Sequence, residues 1–198
     1  DDCYLGGGAG HAGKILRNLG NGKFQPLQVG STQDVVEQDA PREDMGVLIF
    51  DADADSDLDV YVVSGGVECE IDDQLLRDRL YLNDGHGGLA MAPDDALPDL
   101  RDSGGCVTAA DFDRDGDLDL FVGGRVVPGQ YPVTPQSRLL RNDSGSSPPK
   151  QGDGVRFTDV TEDVAPELAT TGLVTSALWS DADGDGWLDL LVAHDWGP

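Results

Sequence analysis

Three nine-residue stretches hold the residue types that could do chemistry here. They are Asp51-Ala52-Asp53-Ala54-Asp55-Ser56-Asp57-Leu58-Asp59, Asp111-Phe112-Asp113-Arg114-Asp115-Gly116-Asp117-Leu118-Asp119 and Asp181-Ala182-Asp183-Gly184-Asp185-Gly186-Trp187-Leu188-Asp189. Carboxylates recur at every second position, and such crowding is strongly repulsive unless a cation sits among them. A hard cation with about six to eight oxygen ligands is the natural neutraliser, and calcium tolerates irregular loop geometry better than magnesium. The expectation is therefore about three calcium ions, one per stretch.

The side-chain ligands fall at positions one, three, five and nine. These are Asp51, Asp53, Asp55 and Asp59; Asp111, Asp113, Asp115 and Asp119; and Asp181, Asp183, Asp185 and Asp189. Position seven is Asp57, Asp117 and then Trp187. A site that accepts tryptophan there needs only the backbone carbonyl. Gly116 and Gly186 at position six permit the sharp turn. Ser56 does so less readily, which makes the first site the weaker one.

An EF-hand opens with the same Asp-x-Asp-x-Asp-Gly but closes on a glutamate at its twelfth position and enters a helix. Here that position is Val62, Val122 and Val192, inside β-branched and aromatic runs. These loops precede strands.

The elements that must hold the loops repeat with them. Asp2-Cys3-Tyr4-Leu5-Gly6-Gly7 matches Asp119-Leu120-Phe121-Val122-Gly123-Gly124, so the repeats run 2–59, 59–119 and 119–189 within a single segment covering 1–198. Apolar runs enter each loop at Gly46–Phe50, Cys106–Ala110 and Val174–Trp179. Hairpin signals follow at Leu16-Arg17-Asn18, Leu80-Tyr81-Leu82-Asn83 and Leu139-Leu140-Arg141-Asn142, the last before a longer loop with Ser146, Ser147, Pro148 and Pro149. Four strands per unit result. The runs flanking each loop do not alternate and are expected to be buried on both faces. Residues 65–79 hold either a short helix or a loop; 126–137 read as an irregular excursion, and 31–44 and 92–103 as acidic connections.

The net charge of −25 and 38% apolar content describe an acidic, turn-rich domain and argue against nucleic acid or an anionic membrane as partner. No apolar run reaches the length of a membrane span, and no signal peptide opens the sequence. Cys3 and Cys106 read as small buried residues and Cys69 as a loop thiol. Calcium at millimolar levels points to a secreted, cell-surface or periplasmic setting.

These units resemble the FG-GAP/VCBS repeats of integrin-α-type β-propellers. Asp78-Arg79-Leu80-Tyr81-Leu82-Asn83-Asp84-Gly85, and the stretch from Asp111 through Pro132, are similar to bacterial VCBS proteins that often carry an ASPIC/UnbV-type domain. The resemblance implies an all-β fold of propeller blades, each of four antiparallel strands. About three blades would form part of a ring of about seven. It implies the same metal ligands as above, and either missing blades or neighbouring copies of the chain to complete the ring.

No catalytic motif is present: no nucleophile elbow, no His-Glu-x-x-His, no phosphate-cradling loop. Gly6-Gly7-Gly8-Ala9-Gly10 reads as a repeat turn, and His11, His86 and His194 lie in loops. The expected function is a non-enzymatic calcium-binding module for adhesion, protein interaction or assembly. A carbohydrate-binding or polysaccharide-active propeller, with Trp179, Trp187, Trp196 and Tyr131 lining a groove, is the alternative, and an extracellular filament subunit a third. Asn142-Asp143-Ser144 fits a glycosylation acceptor.

Overall fold

A computed structural model describes residues 2–27, 35–144 and 154–196. It is all-β with few helical turns. β1 (Cys3–Leu5), β2 (Lys14–Asn18) and β3 (Phe24–Pro26) form a three-stranded sheet. β4 (Asp44–Phe50), β5 (Asp59–Ser64), β6 (Arg79–Asn83) and β7 (Leu89–Met91) form a four-stranded sheet in sequence order. β8 (Ser103–Ala110), β9 (Asp119–Val126), β10 (Arg138–Asn142) and β11 (Phe157–Asp159) repeat that sheet, and β12 (Val174–Ser180) pairs with β13 (Asp189–His194). Every pairing is antiparallel. β8 packs against both β4 and β12, so the sheets lie side by side in chain order.

Burial explains the unbroken apolar runs. Val60 and Val62 of β5 join Tyr81 and Leu89 in a cluster that receives Tyr4 and Ile15 from the first sheet. Tyr61 and Val63, on the other face, join Leu80, Leu120, Val122, Leu140 and Phe157. All six residues of β5 are buried. A strand between two sheets needs apolar side chains at odd and even positions alike. Across the second interface Phe50 meets Phe157 edge-on at 6.4 Å.

The strands entering the loops depart from the expectation of two-sided burial. β4 and β8 are mostly half-buried, and β12 is mostly exposed, Leu178 included. They sit at the edge of their sheets, packed chiefly against the corresponding edge strand of a neighbouring sheet.

Polar pins tie the sheets together. The Arg79 guanidinium reaches Asp44 Oδ1 at 2.6 Å with both side chains only 3% exposed. The Tyr4 hydroxyl (3.1 Å) and the Gly7 N–H (2.8 Å) donate to Asp44 Oδ2. The glycine run after β1 thus binds a carboxylate, consistent with a turn and opposite to a phosphate cradle. In the next unit Arg138 pairs with Asp102 and Asp159.

Asp78 accepts from the Tyr61 hydroxyl at 2.7 Å and the Ser64 N–H at 2.8 Å. Burial pushes its carboxyl up to about 6 against those hydrogen bonds. The folded state then holds a proton that the unfolded chain releases near pH 4, so this group makes stability fall as pH rises from about 4 to 6. Asp78→Asn should flatten that fall by about 3 kcal/mol, the equivalent of the shift. Urea unfolding at pH 4 and pH 6.5 checks it, and equal slopes in parent and variant would refute the assignment.

Residues 65–79 resolve into loop plus a 3-10 turn, Gln74–Leu76, capped by Asp73. Residues 127–137 are irregular. Within the 31–44 connection 31–34 lie outside the described residues, as do Ser146, Ser147, Pro148 and Pro149. All three cysteines are free; Cys3 and Cys106 are half-buried rather than buried, because both lie on edge strands. Among the described residues no helix is long and apolar enough to cross a membrane.

Candidate metal centre

Each acidic stretch forms the turn between the first two long strands of its unit: β4 to β5, β8 to β9 and β12 to β13. The backbone makes this turn with positive φ at positions four and six. The values are Ala54 60° and Ser56 76°, Arg114 64° and Gly116 103°, Gly184 80° and Gly186 88°. The sequence showed the need at position six; the need at position four was masked by alanine and arginine. Left-handed backbone costs an L-residue about 1–2 kcal/mol. Ser56→Gly should therefore stabilise the chain by about 1 kcal/mol, less the added freedom of the unfolded state. An unchanged urea midpoint would show that the Ser56 conformation carries no strain.

This backbone turns the carboxylates inward. Asp51, Asp53 and Asp59 place oxygens within 4.8 Å of one another, as do Asp111, Asp113 and Asp115, and Asp181, Asp183 and Asp189. Positions one and three are common to all three clusters. Asp55, Asp185 and Asp119 fall outside these closest groups.

Backbone N–H groups hold the carboxylates of positions one and five. At position five, Asp55 Oδ1 accepts from Asp57 (2.9 Å), Asp115 Oδ1 from Asp117 (3.0 Å) and Asp185 Oδ1 from Trp187 (2.7 Å). At position one, Asp51 Oδ2 accepts from Ser56, Asp111 Oδ2 from Gly116 and Asp181 Oδ2 from Gly186.

Position nine does a further job. Its Oδ2 accepts from the N–H of position two: Ala52 to Asp59, Phe112 to Asp119 and Ala182 to Asp189. Its Oδ1 accepts from the asparagine that ends the next strand. Asn18 donates to Asp2, Asn83 to Asp59 and Asn142 to Asp119, each at 2.8 Å. The side chains of Asn83 and Asn142 return the grip by donating to the Leu58 and Leu118 carbonyls. These asparagines belong to the centre although sequence reasoning took them only as turn markers. Their recurrence at the same strand end was the available signal.

Asn142 also donates to the Ala52 carbonyl at 2.9 Å and is 2% exposed. Its amide nitrogen is buried and engaged, so the glycosylation-acceptor reading is corrected.

At position seven the side chains of the first and third loops turn to other partners. Asp57 lies against Gly85, and Trp187 lies beneath Arg114, whose guanidinium carbon is 3.5 Å from the ring centroid. Arg114 also donates to the Gly186 carbonyl.

Two observations test whether a cation fits. Asp51 Oδ1 and Asp53 Oδ1 are buried and have no hydrogen-bond partner. A desolvated carboxylate oxygen without a donor is costly, and an all-oxygen cluster is the donor set of a hard divalent ion. Without such an ion, burial pushes the Asp59 and Asp119 carboxyls up to about 6, and neighbouring carboxylates push the same way. Burial, followed by adjacent carboxylates, likewise raises Asp53 and Asp117. The residues fit a calcium ion.

Residues 63–122 match the FG-GAP-like repeat family. The matched stretch begins at the end of β5, takes in β6, β7 and β8, and closes in β9 beyond the 111–119 loop. It spans one unit of the periodicity, and the four-stranded sheets are in keeping with propeller blades. No curated protein matches the chain.

Proposed function

We propose that the chain is a calcium-binding propeller segment of extracellular type, non-enzymatic, whose ions are structural and whose blade surfaces serve adhesion, protein interaction or assembly. The observation that carries the reading is the pair of buried, partnerless oxygens of Asp51 and Asp53 inside a carboxylate cluster that recurs twice more. In that reading Asp51, Asp53 and Asp59, and their counterparts, hold the ion at the β-turn. The ion supplies the positive charge that lets the loop close. The Asn83 and Asn142 hooks pass that order from the first and second loops to the hairpins that follow them. Carboxylates engaged in this way are poor proton carriers, which favours a structural role over acid–base chemistry.

The resemblance to bacterial VCBS proteins favours a secreted or surface setting. The glycan alternative has less support, since its four aromatics are dispersed. Trp179 stacks on Phe112 and Trp187 on Arg114 beside the loops. Tyr131 lies on the excursion after β9, at the opposite end of the strands.

Isothermal titration with calcium should give close to three ions per chain, one per cluster. Asp51→Ala combined with Asp53→Ala should remove one of them. Unchanged stoichiometry in that variant, or none in the parent, would overturn the reading.

A further inference from the structure

At the end of the strands away from the metal loops, Glu43, Met45, Gly66, Val67, Glu68, Arg125, Val126, Tyr131 and Leu173 line an open groove of about 310 Å³. We propose that this groove takes a lysine side chain presented by a peptide or protein partner.

Two glutamates from different segments converge there over Gly66. Gly66 has φ 99°, and a Cβ at that position would run into Glu43 Oε2 and lie within 2.9 Å of Glu68 Oε2. The missing side chain leaves both carboxylates room to face one point. Glu68 Oε2 accepts from the Val67 N–H at 2.9 Å, which holds that carboxylate beside Glu43 over Gly66, and burial followed by Glu68 raises the Glu43 carboxyl. A cation set between them removes the repulsion between two carboxylates this close.

Around the acidic pair the groove is apolar, and its apolar members are accessible: Met45 is 39%, Val67 57% and Tyr131 64% exposed. Its one basic residue, Arg125, is turned to Asp195 at 3.0 Å and closes the rim. An aliphatic stem ending in a positive charge matches this lining, with the stem against Met45 and Val67 and the head toward the carboxylates. Tyr131 offers a ring to the same head. Two carboxylates meeting at one point suit a compact ammonium better than the planar fork of arginine.

The probe is Nα-acetyl-lysine methylamide, followed by amide chemical-shift changes in the calcium-saturated chain. Shifts should centre on Met45, Gly66, Val67, Arg125 and Tyr131. Glu43→Gln with Glu68→Gln should weaken binding at least about tenfold. The same charge removed elsewhere, by Glu162→Gln with Asp163→Asn on the short helix Thr161–Val164, should leave it intact. Nα-acetyl-norleucine methylamide, which keeps the stem and lacks the charge, should not bind. Shifts spread over the acidic surface, equal binding of norleucine, or no loss in the glutamine variant would each overturn the proposal. So would calcium itself shifting these amides and displacing the probe. The calcium stoichiometry of the glutamine variant stays at the parental value if the groove and the loops are separate sites.

Discussion

Saturating calcium raises the thermal unfolding midpoint of this chain by a large margin, and chelator reverses the rise. A ligand that binds only the folded state adds about 2.7 kcal/mol per site at a hundredfold excess over its dissociation constant. With three clusters the ceiling is about 8 kcal/mol. For a domain of this size each kcal/mol moves the midpoint by about 2–4 °C, which puts the full effect at about 15–30 °C. The buried partnerless oxygens argue for the largest share at the first loop, the reverse of the order that Ser56 alone suggests. The exposed third cluster argues for a smaller share. Magnesium at equal concentration should do less, because it demands near-octahedral geometry and keeps its waters. Coincident melting curves with calcium and with chelator would remove the structural role of the loops.

Asp44→Ala costs about 3–5 kcal/mol, the loss expected when one member of a buried ion pair is left behind. Asp44 accepts from Arg79, Tyr4 and Gly7 at once, so its removal frees a buried guanidinium and two further donors at the junction of the first two sheets. Arg79 Nε is already buried without a partner, which makes any further loss there harder to absorb. Against a typical domain stability of about 5–15 kcal/mol this is a large fraction. Calcium should not rescue it, since the pair sits where β4 starts, at the strand end away from the loop. Urea unfolding of Asp44→Ala, of Arg79→Met and of the double variant would give the coupling between them. A loss within about 0.5 kcal/mol would mean that water reaches the site and the pair holds nothing. Asp44→Asn provides a milder probe should the alanine variant fail to fold.

What could be read from the sequence followed from how local each cause is. The acidic loops were legible because their ligands and turn residues lie within nine consecutive positions, and the strands around them because apolar runs end in Asn, Asp and Gly. The Asp44–Arg79 pair was not legible, since its members are 35 residues apart and meet only once β4 and β6 flank β5 in one sheet. Asn83 was visible as a turn residue, yet its bond to Asp59 spans 24 positions and appears only once β5 and β6 pair. The incomplete burial of β4, β8 and β12 escaped for a similar reason: they are apolar runs like β5 and β9, and edge position in a sheet leaves no mark on composition. Position four of the loops shows the opposite failure. The cause there is local, a left-handed residue, but Ala54 and Arg114 disguise it.

The loops also touch one another. Asn142 spans the first and second, donating to the Ala52 and Leu118 carbonyls, and Arg114 of the second grips Gly186 and Trp187 of the third. A loop ordered by its ion therefore offers its neighbour a fixed surface to fold against, and the neighbour gives up less disorder when its own ion arrives. On the calcium-binding reading the row of turns behaves as a zip fastener, in which an ion in one loop eases the filling of the next and depletion runs in reverse. Filling is then steep in calcium concentration, and the rim responds to the ion as one body.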